Sequence, residues 1–435
     1  MLRILLFGDV AGVSQLLRHL PVGHVVAIVG AAVRPQYHDG LLEVAARMTV
    51  PFLVQPRWGS PDYAGFAAAI EALDADLIWV NSYSMIIRAD VLSLSRLGGI
   101  NIHHALLPRN RGCNPLQWAI INRDTETGVT LHELTSGIDE GPIIAQRRVA
   151  LLFEDTWQTL RDRLARATDD LIAASLPQIL SGNWTAQNQD ERAANYCCRR
   201  TPDDGLFTWR QPVVAIYNRI RALLPPLPPA FYVDGEGRRV GMDRYLTPCE
   251  VTAFKYGPLG GCILETDSVR LRPLWQADAP LVEEWSSHDE ALILNSASRH
   301  WSEQDHLAPV GSRLAERTDL LLFVIEERAS SKAIGTCRLQ NINWRHRNAE
   351  LQVRISDGSS ADEAYSAEAI RLLCRFAFVD LNLHRICLHA AETELSIIRA
   401  CEKTGFVREG SLTEAVLVDG IWLDLAVMGL IERDE

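Results

Sequence analysis

The sequence predicts an α/β protein: a mostly parallel sheet over the first 190 residues, a small β unit after it, and a second α/β domain from residue 267 onward. Three observations carry this. Short apolar runs alternate with amphipathic stretches through the first 180 residues, the rhythm of βαβ units. A proline cluster, Pro225-Pro226-Leu227-Pro228-Pro229, then interrupts the chain and is followed by short strand-like runs. Beyond Asp267 a new domain begins at Val269.

In order, Arg3–Gly8, Val25–Val29 and Leu77–Asn81 have the length and apolar character of buried strands, and Tyr63–Leu73 and Thr156–Leu180 have helical spacing. Gly8 and Gly12 follow the first strand, but Gly-x-Gly-x-x-Gly is absent, so this loop reads as a turn bordering the ligand crevice of an open sheet. The segment Ser82–Arg88 opens toward the same crevice. After the polar stretch Gln187–Asp204, Val213–Leu224 is amphipathic and ends at the prolines. Phe231–Val233, Arg239–Met242 and Glu250–Phe254 read as short strands around turns such as Asp234-Gly235. In the last domain a helical segment around Trp285 stands between the runs Val269–Leu274 and Phe323–Glu326, which are followed by Ala333–Thr336 and Ala349–Ile355.

Composition bounds the function. With 435 residues, 47% of them hydrophobic, the chain has material for about three domains. No apolar stretch approaches membrane-spanning length, and Met1–Asp9 reads as a first strand and not as a secretory signal. Nine cysteines show neither Cys-x-x-Cys nor a zinc-type spacing, so reduced thiols, no metal site and a cytoplasmic location are expected, with the adjacent Cys197-Cys198 pair read as packing. A formal net charge of −12 disfavours polyanionic partners, and residues 206–267 carry nearly equal numbers of basic and acidic side chains. Neither nucleic acid nor membrane is an expected partner.

The chemistry-bearing residues lie at three separated points: Asn101-Ile102-His103, the turn Leu107–Gly112, and Asp139-Glu140-Gly141. An amide that can donate to a developing oxyanion, an imidazole that can carry a proton and a carboxylate that can orient it form a set suited to acyl transfer. The same residue types also serve in turns and caps. His104 would point to the opposite face of a strand from His103 and reads as packing.

Asn101–Gly112, Asn114–Ile120, Thr127–His132 and Gly137–Ile143 together, in this order and spacing, resemble the folate-dependent formyltransferase family. The resemblance implies a Rossmann-like catalytic domain over 1–190 and a small C-terminal subdomain over 191–266. It implies attack of an amine on the formyl carbon of 10-formyltetrahydrofolate, with Asn101 stabilising the oxyanion, His103 taking the proton and Asp139 holding the imidazole. Met85, Ile86, Ile87 and Arg88, with Ile138 and Gly141, are expected to hold the folate. Arg109, Arg111, Arg199 and Arg200 are expected to face the substrate.

Residues 267–435, through Val269–Leu274, Phe323–Glu326, Ala349–Ile355 and Cys401-Glu402-Lys403-Thr404-Gly405-Phe406, resemble the GNAT superfamily of acetyl-CoA-dependent N-acetyltransferases. That resemblance implies Glu350 as a general base if acetyl-CoA binds. Three departures point to a fold kept without the cofactor: Ala361–Ser366 has no glycine for a diphosphate and carries two carboxylates, Ala391–Glu394 lacks the usual asparagine, and Cys401 stands where a tyrosine acid is common. The unfavourable charge for tRNA and the amino-sugar-type GNAT fusion point to a nucleotide-linked aminodeoxy sugar as the amine, in bacterial surface glycan (O-antigen) synthesis. Two alternatives stand beside it, a bifunctional N-formyl/N-acetyltransferase and a formyltransferase of an amino acid or of a peptide or siderophore precursor. A homodimer is the expected assembly.

Overall fold

The computed structural model describes residues 1–257, 259–273, 278, 319–355, 362–418 and 420–432. The expected helix around Trp285, Leu274 of the run Val269–Leu274, and Ala361 of the Ala361–Ser366 loop lie outside these residues. Two compact units divide the chain, Met1–Asp204 and Gly205–Glu435.

In the first unit, β1 (Ile4–Gly8), β2 (Val25–Ala31), β3 (Phe52–Gln55), β4 (Leu77–Asn81) and β5 (Gly99–His103) are parallel, in the spatial order β3-β2-β1-β4-β5. The central strands β1 and β4 are buried at every position, as expected of parallel strands covered on both faces. Helices α1 (Val10–Leu17), α2 (His38–Met48), α3 (Tyr63–Ala72) and the short α4 (Ala89–Leu92) provide the connections. Leu5, Phe7, Ala27, Val29, Ile70, Ile78 and Val80 belong to one buried cluster. A Cβ at Gly8 or Gly12 would sit 2.4 or 2.3 Å from the Asn81 carbonyl oxygen. Both glycines therefore serve the close approach of the β1–α1 turn to the end of β4.

The sheet then changes sense. After β6 (Arg111–Gly112) and α5 (Pro115–Ile121), β7 (Glu126–Glu133) pairs antiparallel with β5, and β8 (Ile143–Ala150) pairs antiparallel with β7. Helix α6 (Trp157–Ser181) starts with a Thr156/Thr159 capping box and ends at Gly182, whose φ is +69°. A polar strap returns from it to β9 (Tyr196–Cys197), which pairs parallel with β6.

The second unit opens with α7 (Val213–Ala222), the hairpin of β10 (Ala230–Val233) and β11 (Arg239–Met242), and α8 (Pro248–Lys255). The strand expected over Glu250–Phe254 is thus a helix. Thr247 and Glu250 form a reciprocal capping box with Pro248 in the first turn, a local signal stronger than the short apolar alternation. An eight-stranded sheet follows in the order β12-β13-β14-β15-β16-β17-β19-β18. These strands are β12 (Leu264–Glu265), β13 (Val269–Pro273), β14 (Leu321–Glu327), β15 (Lys332–Asn343), β16 (Asn348–Ile355), β17 (Arg385–Ala391), β18 (Val407–Val418) and β19 (Ile421–Ile431). Helices α9 (Asp362–Arg375) and α10 (Leu395–Lys403) complete the unit. Parallel pairing of β16 with β17 stops at Glu350 opposite Cys387, although β16 runs on to Ile355 and β17 to Ala391.

Inside this unit the residues before and after 267 share a buried polar centre. Lys255, 5% exposed, pairs with Asp380 and donates to the Gln211 carbonyl (2.9 Å), and the Tyr256 hydroxyl donates to Asp380 (3.0 Å). The Tyr256 and Phe323 rings both pack edge-on against Phe376. Among the described residues no helix is long and apolar enough to cross a membrane.

Candidate active site

Strand alternation puts Asn101 and His103 on one face of β5 and Ile102 on the other. The β5–β7 register sets Asn101 opposite His132 and His103 opposite Thr130, so two imidazoles and an amide converge where β5 ends. Asp139 comes from the β7–β8 connection. Its φ of +54° lies in the left-handed region, and a Cβ at Gly141 would fall 1.8 Å from the Glu133 carbonyl oxygen, so only glycine closes the loop this way.

Polar contacts fix the protons. His103 Nε2 lies 2.8 Å from the Asn110 carbonyl oxygen, which can only accept, so Nε2 carries the hydrogen and in the neutral imidazole Nδ1 is the nitrogen with the lone pair. Nδ1 faces Asp139 Oδ2 at 3.5 Å, while Oδ2 itself accepts the Gly112 N–H at 2.9 Å. His132 Nδ1 donates to the Glu133 carbonyl (2.8 Å), which leaves Nε2 to accept from Asn101 Nδ2 (3.1 Å). Asp139 Oδ1 is 3.4 Å from both Asn101 Nδ2 and His132 Nε2.

The electrostatics follow from burial. Burial raises the Asp139 carboxyl, but the neighbouring His103 imidazole, the His132 contact and the Gly112 N–H outweigh it and hold the group down at about 2. Burial depresses the His103 pKa against the opposing pull of Asp139. The resting centre is a fixed carboxylate beside a neutral, basic imidazole nitrogen. His104 contacts Thr168 Oγ1 of α6 at 3.5 Å on the far side, and burial lowers it to about 4.

The other expected residues are dispersed. Met85 is half-buried, Ile86 is 66% exposed, Ile87 is buried, and Arg88 stacks over the exposed Trp58 ring at 4.3 Å. Ile138 is exposed and Gly141 buried. Arg109 is exposed and pairs with Asp124, and Arg199 is exposed. Arg200 is half-buried, with a buried Nη1 that has no hydrogen-bond partner. Arg111 corrects the expectation set for it: it is fully buried, and all five of its N–H groups donate to Gln189, Glu191 and Tyr196, leaving none for a substrate.

Sequence reasoning assigned no role to His132, the Asn110 carbonyl or Gln189. The pairing of Asn101 with His132 is a matter of strand register, and the local signal for His132 was its place in an alternating β run, Thr127–His132.

In the second unit, Glu350 Oε1 meets His389 Nδ1 at 3.2 Å and Oε2 accepts from Asn341 Nδ2 at 3.0 Å. Burial raises the Glu350 carboxyl, and these partners bring it below its ordinary value; His389 is raised, first by the Glu350 hydrogen bond. Cys401 is buried, which pushes its thiol up to about 12. Glu363, in the first turn of α9, is paired with Lys403.

Residues 24–176 match the formyl transferase family, and residues 268–407 match the acetyltransferase (GNAT) domain family. One chain thus joins a region that matches the formyl transferase family to a region that matches the GNAT domain. Solved structures similar to parts of it include a sugar N-formyltransferase from Shewanella sp. (20% identity, 56% of this chain and 98% of that one, TM-score 0.46). Another is an N-formyltransferase from Helicobacter canadensis with folinic acid and dTDP-3-aminofucose (20%, 51% and 80%, 0.41). A third is a spermidine N-acetyltransferase from Vibrio cholerae with CoA and spermine (25%, 38% and 96%, 0.33).

Proposed function

We propose that the chain transfers the formyl group of 10-formyltetrahydrofolate to the amine of a nucleotide-linked aminodeoxy sugar, at a centre made by Asn101, His103 and Asp139 with His132. The observation that carries this is the lone pair of His103 Nδ1, held beside an ionised carboxylate on the same strand face as an amide donor. The amine attacks the formyl carbon, and the carbonyl oxygen gains negative charge. Asn101 Nδ2 has two hydrogens; one is directed to His132, and the other, held by Asp139 only at 3.4 Å, is the donor for the oxyanion. His103 Nδ1 takes the proton shed by the amine, and Asp139 stabilises the resulting imidazolium across 3.5 Å. The proton then passes to the departing folate nitrogen as the tetrahedral carbon collapses.

The residues fit a flat, partly apolar donor. Met85 and Ile86 present apolar surface on the loop after β4, Ile138 does so on the loop that carries Asp139, and Gln55 Nε2 fixes the Ile86 carbonyl at 3.0 Å. The donor supplies the electrophilic formyl carbon. A net charge of −12 supports a small amine over tRNA. In the GNAT domain, a Glu350 held by two partners, a high thiol pKa at Cys401 and Glu363 tied to Lys403 support a fold that does not transfer acetyl groups.

Mass spectrometry of UDP- and dTDP-linked amino sugars incubated with 10-formyltetrahydrofolate or acetyl-CoA tests both halves together. A formyl adduct alone is expected. Formylation of amino acids with no nucleotide sugar modified would move the substrate assignment to peptide or siderophore precursors, and an acetyl adduct would make the protein bifunctional.

A further inference from the structure

We propose that Arg111 and Gln189 are positioning residues that hold Asp139 in its working geometry; the assignment rests on the reading of Asp139 as part of the formyl-transfer centre. Asp139 keeps a left-handed backbone without being glycine, a conformation that persists only where its surroundings impose it. The imposing contact is Gln189. Its Nε2 donates to the Asp139 carbonyl at 2.8 Å and to the Gly141 carbonyl at 2.7 Å, bracketing the loop on both sides of Glu140.

Gln189 is itself oriented by Arg111. Its Oε1 accepts from Arg111 Nε (3.0 Å) and Nη2 (2.8 Å), and because a guanidinium only donates, the amide cannot turn over without losing both sets of bonds. The rest of the guanidinium is anchored on the returning strap. Nη1 and Nη2 grip the Glu191 carboxylate at 3.0 and 2.7 Å, and Nη1 donates to the Tyr196 hydroxyl at 2.9 Å. That hydroxyl donates in turn to Glu140 Oε1 at 2.7 Å, next to Asp139. The residue after Arg111 is Gly112, whose N–H binds Asp139 Oδ2, so the same short strand holds both the backbone and the carboxylate of Asp139.

The frame explains why a fully buried arginine sits one residue from the centre, with its charge neutralised on the strap side. It fixes the carboxylate oxygen facing His103 without any Arg111 or Gln189 atom touching the reacting groups. Lysine at 111 lacks the planar fork and would not replace it.

Gln189→Glu tests this, because it keeps acceptors for Arg111 while removing both donors to the loop. In the free protein, amide hydrogen exchange of a peptide spanning 137–142 should quicken about tenfold or more, with the remainder of the N-terminal unit unchanged. With substrates, kcat should fall about ten- to a hundredfold while KM for both substrates stays within about threefold, the acid limb of the pH profile should shift, and Arg111→Lys should show the same fall in kcat. Exchange that quickens across the whole unit with kcat per folded molecule unchanged, or exchange and kcat both equal to wild type, would overturn the assignment. Failure of the wild type to transfer formyl would sink the functional reading alone, since the exchange comparison needs no substrate.

Discussion

Replacing Asp139 by Asn isolates the charge of the carboxylate from its shape. The amide oxygen can still accept the Gly112 N–H, so the loop contact at 2.9 Å is conserved, and what disappears is a negative charge 3.5 Å from His103 Nδ1. With an effective dielectric near 20, that charge stabilises an imidazolium by about 5 kcal/mol. At about 1.4 kcal/mol per decade, kcat should drop by roughly three to four orders of magnitude, with KM little changed. The pH profile gives the sign independently. Burial depresses the His103 pKa and Asp139 opposes it, so losing Asp139 must lower the pKa further and move the acid limb of kcat/KM to lower pH even as the plateau falls. Initial rates of formyl product measured from pH 5 to 9, for wild type and D139N, read both. A kcat within about threefold of wild type, or an acid limb displaced upward, would refute His103 as the base supported by Asp139.

His104 is lowered to about 4 by burial, from 6.5, so the unfolded chain takes up this proton first as pH falls; the stability it contributes is present above pH 6.5 and lost toward pH 4. His104→Gln should flatten that part of the melting-temperature profile, and an unchanged slope would count against it. Asp380→Ala leaves the buried Lys255 without its carboxylate, with the Gln211 carbonyl and the Tyr256 ring beside it, at an expected cost of about 3–5 kcal/mol in denaturant unfolding; a loss under about 1 kcal/mol would show the pair to be dispensable. Titration calorimetry with acetyl-CoA at about millimolar concentration should show no saturable binding, and micromolar affinity would contradict an inert GNAT domain.

Strands β1, β2 and β4 were legible because they are continuous apolar runs, whereas β3, Phe52–Gln55, mostly half-buried or exposed, was not read. Leu77–Asn81 matches β4, and Tyr63–Leu73 and Thr156–Leu180 differ from α3 and α6 by a residue at their ends. Less legible was what depends on contacts between distant segments. The antiparallel addition of β7 and β8 is carried by pairing, and β8, Ile143–Ala150, is largely unburied and shows no strong alternation. The α8 cap was readable in Thr247-Pro248-Cys249-Glu250, where the apolar pattern misled. Within the site, Asn101, His103 and Asp139 stood out as chemistry-bearing types, whereas Arg111 looked like a substrate arginine because sequence shows charge and not burial. The strap residues that bind it, Gln189, Glu191 and Tyr196, with Glu191 neutralising its charge, lie about 80 residues further on.

The most direct measurement is transfer of a carbon-13-labelled formyl group from 10-formyltetrahydrofolate in a single turnover with a nucleotide-linked amino sugar, followed by carbon NMR, for wild type and His103→Ala. The expected result is a labelled formamide on the sugar with wild type and none with the variant, whose folate affinity stays within about threefold. Label that remains on the folate with every amine tested, or transfer by the variant at the wild-type rate, would contradict an amine-formylating centre built on His103.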